Sequence, residues 1–167
     1  MKSIFIRNGL ILGILCILLF LITRFGFYDD FLFASAVVNI TILPFLFVVT
    51  GFFSTWKLSK TIKNLSFRKA FSAAYITQMA AGAFFMCFLY LFFNLINPES
   101  VQIIRNGLLE NLSHIEHPTE DTSFLIDSYK SDYLLSAQFL FLVFLCPIML
   151  PFYGLTSLMM ALFFRNK

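Results

Sequence analysis

Charge is scarce in this chain. Asp, Glu, Lys and Arg make up only 13% of its 167 residues, and none falls from Gly9 to Thr23, Phe31 to Trp56, Ala70 to Pro98 or Tyr133 to Phe164. Soluble domains carry about 25% charge. Here 59% of residues are apolar, 24 of them Phe, and mean hydropathy is +0.85. So few charges cannot screen so much apolar side chain, which excludes a water-soluble fold. The apolar runs also lack any Asp, Glu, His or Lys to act as relay or counter-ion, which argues against an ion-coupled pump. Cysteine is sparse as well. Cys16, Cys87 and Cys146 are isolated and form no CxxC, so they read as small buried hydrophobes rather than a disulfide framework or redox centre.

What remains is long apolar runs. A helix needs about 20 such residues, at about 1.5 Å each, to cross a hydrocarbon core of about 30 Å. Three runs exceed that length. The first reaches it when extended from Asn8 to Phe27, because Arg24 near a helix end can snorkel to the headgroups. None shows the alternation of barrel strands. The expected fold is a single all-α domain over 1–167. It is a four-transmembrane-helix bundle with spans near 7–27, 32–55, 69–95 and 135–163. An extracytoplasmic amphipathic helix lies between the third and fourth spans. Lys2 and Arg7 ahead of an apolar stretch also suit a signal peptide. The nearest small-x-small site, Ala34 to Ala36, lies inside the next run, so the first span is expected to be retained.

Charge then orients the spans. One set of connections and termini holds Lys2, Arg7, Lys57, Lys60, Lys63, Arg68, Lys69, Arg165 and Lys167, with no acid. The other holds all nine Asp and Glu residues, with Arg24, Arg105 and Lys130. By the positive-inside rule both termini and the 56–69 loop are expected in the cytoplasm. Lys57, Lys60 and Lys63 recur every three residues, so a short interfacial helix would place them on one flank. Orientation alone accounts for these cations with Arg68 and Lys69; the sharper alternative is binding of anionic lipid headgroups. No nucleic-acid motif surrounds them, so no nucleic-acid partner is expected.

Polar residues inside the spans are few: Asn39, Thr41, Gln78, Asn94, Gln138, Tyr153, Thr156 and Ser157. Hydrogen bonds between helices are their simplest role, and Gln78 could meet Gln138 if the third and fourth spans are neighbours. Gly9 and Gly13 form a GxxxG, and Ala73, Thr77 and Ala81 repeat that spacing, so close helix approach is expected, within the monomer or in a dimer. Pro147 and Pro151, one turn apart, each remove a backbone donor and predict a kink in the fourth span.

The one sizeable extramembrane segment is 97–132. Asn97 is placed to cap a helix, Pro98 suits its first position and Glu99 complements its positive end. Val101, Ile104, Leu108, Leu112 and Ile115 fall on one face, predicting an amphipathic helix whose acidic character favours protein contact over anionic lipid. Beyond it, His114 and His117 with Glu116, Glu120 and Asp121 offer imidazole and carboxylate ligands for zinc, or an acid and a base. No HExxH or similar signature accompanies them, and Pro118 interrupts the helix. A solvated loop is the expectation, with no metal or cofactor.

NGLILG opening the first span, LSFRKAF entering the third, NPES leaving it and a basic tail together resemble a bacterial domain-of-unknown-function family, the one numbered 4199. The resemblance covers nearly the whole chain. It implies a small four-helix integral membrane protein of the inner (plasma) membrane, with glycine packing, a Ser66 cap and an Asn-Pro turn at the boundaries. It implies no reaction and no catalytic residue.

The expected function is therefore non-enzymatic: an accessory protein that meets the lipid bilayer and another membrane protein, or itself. The alternative is a passive transporter or channel, built as an oligomer, with Asn39, Gln78 and Gln138 lining a path. An enzyme using His114 and Glu116 is the remotest reading. The solvated-loop reading predicts that purified protein titrated with zinc binds none in the micromolar range, measured as metal-to-protein stoichiometry.

Overall fold

A computed structural model of the chain describes residues 2–27, 31–113, 127 and 150–165. The described residues are helical, with no strand among them. Helix α1 spans Lys2–Gly26 and α2 Phe31–Val37; a π-helical turn, Val38–Ile42, joins α2 to α3, Leu43–Thr61. Helix α4 covers Phe67–Leu91 and closes in a second π-helical turn, Phe92–Ile96; α5 is Glu99–Ser113 and α6 is Leu150–Phe164. Three stretches are long and apolar enough to cross a membrane: Ser3–Gly26, Phe33–Thr61 and Phe67–Ile96. A shorter apolar helix, Pro151–Phe164, follows. Residues 135–149 of the expected fourth span, with Gln138 and Pro147, lie outside the described residues.

Helix ends differ from the expected span limits for local reasons. Helix α3 runs on to Thr61, so Lys57 and Lys60 ride its last turns and Lys63 follows in the connection; no separate interfacial helix forms. Three carbonyls near its end accept further bonds: Ser59 Oγ donates to Trp56 O, Thr61 Oγ1 to Lys57 O, and the Ile62 N–H to Leu58 O. Ser66 occupies the N-cap of α4, but the cap expected of its hydroxyl is not made. Its carbonyl instead accepts from the Lys69 and Ala70 N–H groups. The side chain is exposed, where water competes for the first turn. At α5 the Asn97 side chain does accept from the Ser100 N–H, at 3.3 Å, and Glu99 lies in the first turn.

Helices α1, α3 and α6 gather around α4. Helix α1 runs parallel to α4: Gly9 lies against Thr77, Ala80 and Ala81, Gly13 against Ala81 and Phe84, and Phe20 against Phe85, Phe88 and Phe92. Helix α6 runs the other way, since Tyr153 meets Gly82, Ser157 meets Gln78, and Ala161 joins Ala70 and Ala73. One buried cluster holds Leu12, Cys16, Leu43, Phe47, Ala81, Phe85 and Tyr153. A second, of Phe5, Leu58, Leu65, Ala70, Ala73 and Ala161, closes the end where α1 begins and α3 finishes.

The outer surface is as apolar as the interior. Phe33, Ile40, Leu95 and Phe163 are each at least 73% exposed, with many other large apolar residues beside them. Water would not tolerate so much exposed apolar side chain, whereas lipid tails would.

Close approach of α1 to α4 depends on the missing side chains. A Cβ on Gly9 would sit 2.5 Å from the Thr77 carbonyl oxygen and 2.7 Å from Ala80 Cβ; one on Gly13 would sit 2.8 Å from Phe84 Cδ1. The first obstacle is backbone and cannot rotate away. Among the described residues, nothing lies within 4 Å of a Cβ on Gly154. We expect Gly9→Ala to destabilise the protein by about 1–3 kcal/mol through overpacking, although alanine is the better helix former. Gly154→Ala should leave stability unchanged or raise it by up to about 1 kcal/mol. Denaturation of both variants in detergent micelles checks this.

Candidate functional site

Gln78 is the centre of the buried polar chemistry. It sits mid-way along α4, fully enclosed. Its Nε2 donates to the Phe47 carbonyl of α3 at 3.2 Å, while its Oε1 accepts from Thr156 Oγ1 at 3.1 Å and Ser157 Oγ at 3.0 Å on α6. One amide therefore ties three helices. Thr156 has a single proton to divide between Gln78 and the Phe152 carbonyl, 2.9 Å away, so Ser157 is the more committed donor.

Glycine makes room for this knot. A Cβ on Gly51 would lie 2.9 Å from Gln78 Nε2 and 3.2 Å from Met160 Sδ. Gly82 does the same for Tyr153, whose phenolic oxygen would be 2.8 Å from a Cβ there. The Tyr153 ring stacks on Phe47 at 4.9 Å between centroids. Nearer the end at which α1 starts, Asn8 Nδ2 donates to Ser54 Oγ at 3.1 Å and joins α1 to α3. Thr55 and Thr77 are buried but turn their hydroxyls onto their own helices, at Gly51 O and Ala73 O.

At the opposite end the structure corrects the reading of Arg24. It does not snorkel: the residue is 3% exposed and its Nε donates to Ser100 Oγ at 2.8 Å. Its guanidinium carbon also lies 5.3 Å from the Phe31 ring centroid and 5.9 Å from that of Phe25. The start of α5 returns over the end of α1 and offers Arg24 a charge-assisted hydrogen bond, with the faces of Phe25 and Phe31 beside it.

The structure sorts the remaining candidates as follows. Gly9, Gly13, Ala73, Thr77 and Ala81 lie in contacts within the chain, and the seam of α1 is filled by α4. Asn39 and Thr41 are exposed and bond to their own helix, at Ser35 O and Val37 O, so Asn39 and Gln78 share no partner. Lys57, Lys60, Lys63, Arg68 and Lys69 are all exposed at one end, joined there by Arg7 and Arg165. Pro151 is the second residue of α6; Pro147 and the turn between them lie outside the described residues, and so does any kink they make. His114, Glu116, His117, Glu120 and Asp121 fall outside too. Among the described residues no group of three or more His, Cys, Asp or Glu lies together.

Three features escaped the sequence reading. Ser54 and Ser100 are small hydroxyls whose partners come from distant segments. Pro44 has a local signal that went unused: it lies within the second apolar run and lacks the N–H that would bond to Ile40 O. A π-helical turn precedes it, in which the Leu43 N–H reaches back to Val38 O. Such turns interrupt regular helices where the ladder is broken.

The model of a family described as "Protein of unknown function (DUF4199)" matches residues 7–166, nearly the whole chain. The chain belongs to this family. No curated protein and no solved structure matches it. The DUF4199 assignment carries no reaction with it, so the site is judged on its own contacts.

Gln78 and Ser157 should be energetically coupled. Hydrogen bonds between membrane helices are worth about 0.6 kcal/mol on average and up to about 1.7. A double-mutant cycle of Gln78→Leu and Ser157→Ala, read by denaturation in micelles, should give a coupling free energy of about 1 kcal/mol. A cycle pairing Gln78→Leu with Asn39→Leu should give about zero.

Proposed function

We propose that this chain is a four-span bundle of the bacterial inner (plasma) membrane, with both termini in the cytoplasm, acting without catalysis as an accessory to another membrane protein. The observation that carries this reading is the use of its buried polar groups. Gln78, Thr156, Ser157, Asn8 and Ser54 bond to one another or to backbone across helices, which suits a scaffold more than a site for substrate. The convergence of Arg7, Lys57, Lys60, Lys63, Arg68, Lys69 and Arg165 on one end supports the orientation, because translocated segments avoid such clusters.

In this orientation α5 lies on the outer side, where Gln102, Asn106 and Glu110 are exposed. It is the arm through which a partner is met. A passive pore is the weaker alternative, since a path lined by both Asn39 and Gln78 would need to open the core around the amide.

Two measurements test the proposal. Reporter fusions at Lys167 and in the 62–66 connection should share the cytoplasmic compartment, and one inserted after Ser113 should occupy the other. A photo-crosslinker at Gln102, activated in native membranes, should yield one recurrent heteromeric adduct; adducts confined to lipid or to a second copy would refute the accessory role.

A further inference from the structure

The connection between α3 and α4 has a feature that orientation alone does not require. It is a fixed corner. Leu65 is 1% exposed and packs with Leu58 and Ala70, anchoring the connection in the core. Around that anchor stand Lys57, Lys60, Lys63, Arg68 and Lys69, all exposed. No Asp or Glu occurs in the sequence between Phe31 and Pro98. Arg68 and Lys69 occupy the first turn of α4, where the helix dipole disfavours cations and which holds no acidic residue.

The same corner carries the chain's single tryptophan. Trp56 is 43% exposed, its ring 6.0 Å from Lys60 Nζ and 5.9 Å from the Phe53 ring. Phe52 and Phe53 on α3 and Phe67 at the start of α4 are exposed as well. Trp at an apolar-to-charged boundary marks headgroup depth. The cations thus stand at the level of lipid phosphates, on the rim of a surface that takes acyl chains.

We infer that the α3–α4 corner is a docking site for the headgroup of an anionic glycerophospholipid, whose phosphodiester meets Lys57, Lys60, Lys63, Arg68 and Lys69 while its chains lie along Phe52, Phe53 and Phe67. A zwitterionic headgroup carries its own cation beside the phosphate and gains less. A polynucleotide or soluble acidic protein would have to lay polar surface against the aromatic rim. The inference rests on the chain spanning a membrane and not on its accessory role.

Trp56 supplies the readout. The full-length protein is reconstituted into symmetric vesicles of phosphatidylcholine containing either brominated phosphatidylglycerol or brominated phosphatidylcholine, and quenching of Trp56 gives the relative association of each lipid with the corner. Each Lys or Arg near an anionic surface shifts partitioning by about fivefold. The anionic lipid should therefore be preferred by at least about fivefold. That preference should fall by at least about fivefold in Lys57→Gln/Lys60→Gln/Lys63→Gln, and to about one in about 1 M salt, where screening reaches about 3 Å. Arg68→Gln/Lys69→Gln, which spares α3, provides a second variant should the first fail to fold. With the reporter moved by Trp56→Phe and Phe27→Trp, the opposite end should show no preference. Equal quenching by both lipids overturns the inference, as does a preference undiminished by charge removal or salt, or one found equally at Phe27→Trp. Loss of the preference on adding inorganic phosphate at matched ionic strength would also overturn it, by assigning the corner to a soluble anion.

Discussion

Hydrocarbon gives an apolar side chain no reason to prefer a neighbouring helix over a lipid tail. Helices in that solvent associate through contacts that lipid cannot imitate: backbone brought close to backbone, and polar groups that find each other. This protein uses both, on different faces of α4. Towards α1 the contact is steric, with Gly9 and Gly13 laid against the Thr77 carbonyl, Ala80, Ala81 and Phe84. Towards α3 and α6 it is polar, with the Gln78 amide shared among Phe47, Thr156 and Ser157. The two meet in α4, which is why the other helices are arranged around it.

The two ends of the bundle are built on different principles. One end is closed by Leu58, Leu65, three alanines and Phe5, with its cations exposed around them. The other is aromatic: the Phe20 ring meets five others edge-on, those of Phe31, Phe85, Phe88, Phe92 and Phe93, at 5.0 to 6.4 Å. Edge-to-face pairs place the positive rim of one ring on the negative face of another and hold their geometry in a dry medium. Arg24 sits on top of this cluster and fastens the start of α5 through Ser100. The segment that leaves the apolar region is thereby held to the helix that first enters it.

Composition and charge made the helices legible, because lipid as solvent demands long uncharged runs and no folding partner is needed to see them. The limits of α3 were less legible, since a helix has no cause to stop at the edge of the hydrocarbon and Lys57 and Lys60 simply extend it. Partners were the least legible. Gly9 and Gly13 announce a close approach but not whose backbone approaches; that it is α4, running parallel, follows only from the three-dimensional arrangement. Gln78 bonds to hydroxyls on the described part of α6 and to a helical carbonyl, partners that its residue type does not name, while Gln138 lies outside the described residues. Arg24 was given the general habit of a terminal arginine, and the return of Ser100 to its side has no local trace in sequence. The histidine-bearing stretch at 114–121 and the first half of the expected fourth span lie outside the described residues.

The π-helical turn at Val38–Ile42 fixes the rotational phase of everything after it. A regular helix advances about 100° per residue, so a single residue gained or lost in the turn would swing α3 about its axis by that amount relative to α2. Phe47 and Gly51, which present a carbonyl and an empty space to Gln78, would then face away from it. The segment thus sets which residues of the second span look inward, and its length is as much a part of the Gln78 knot as any side chain in it.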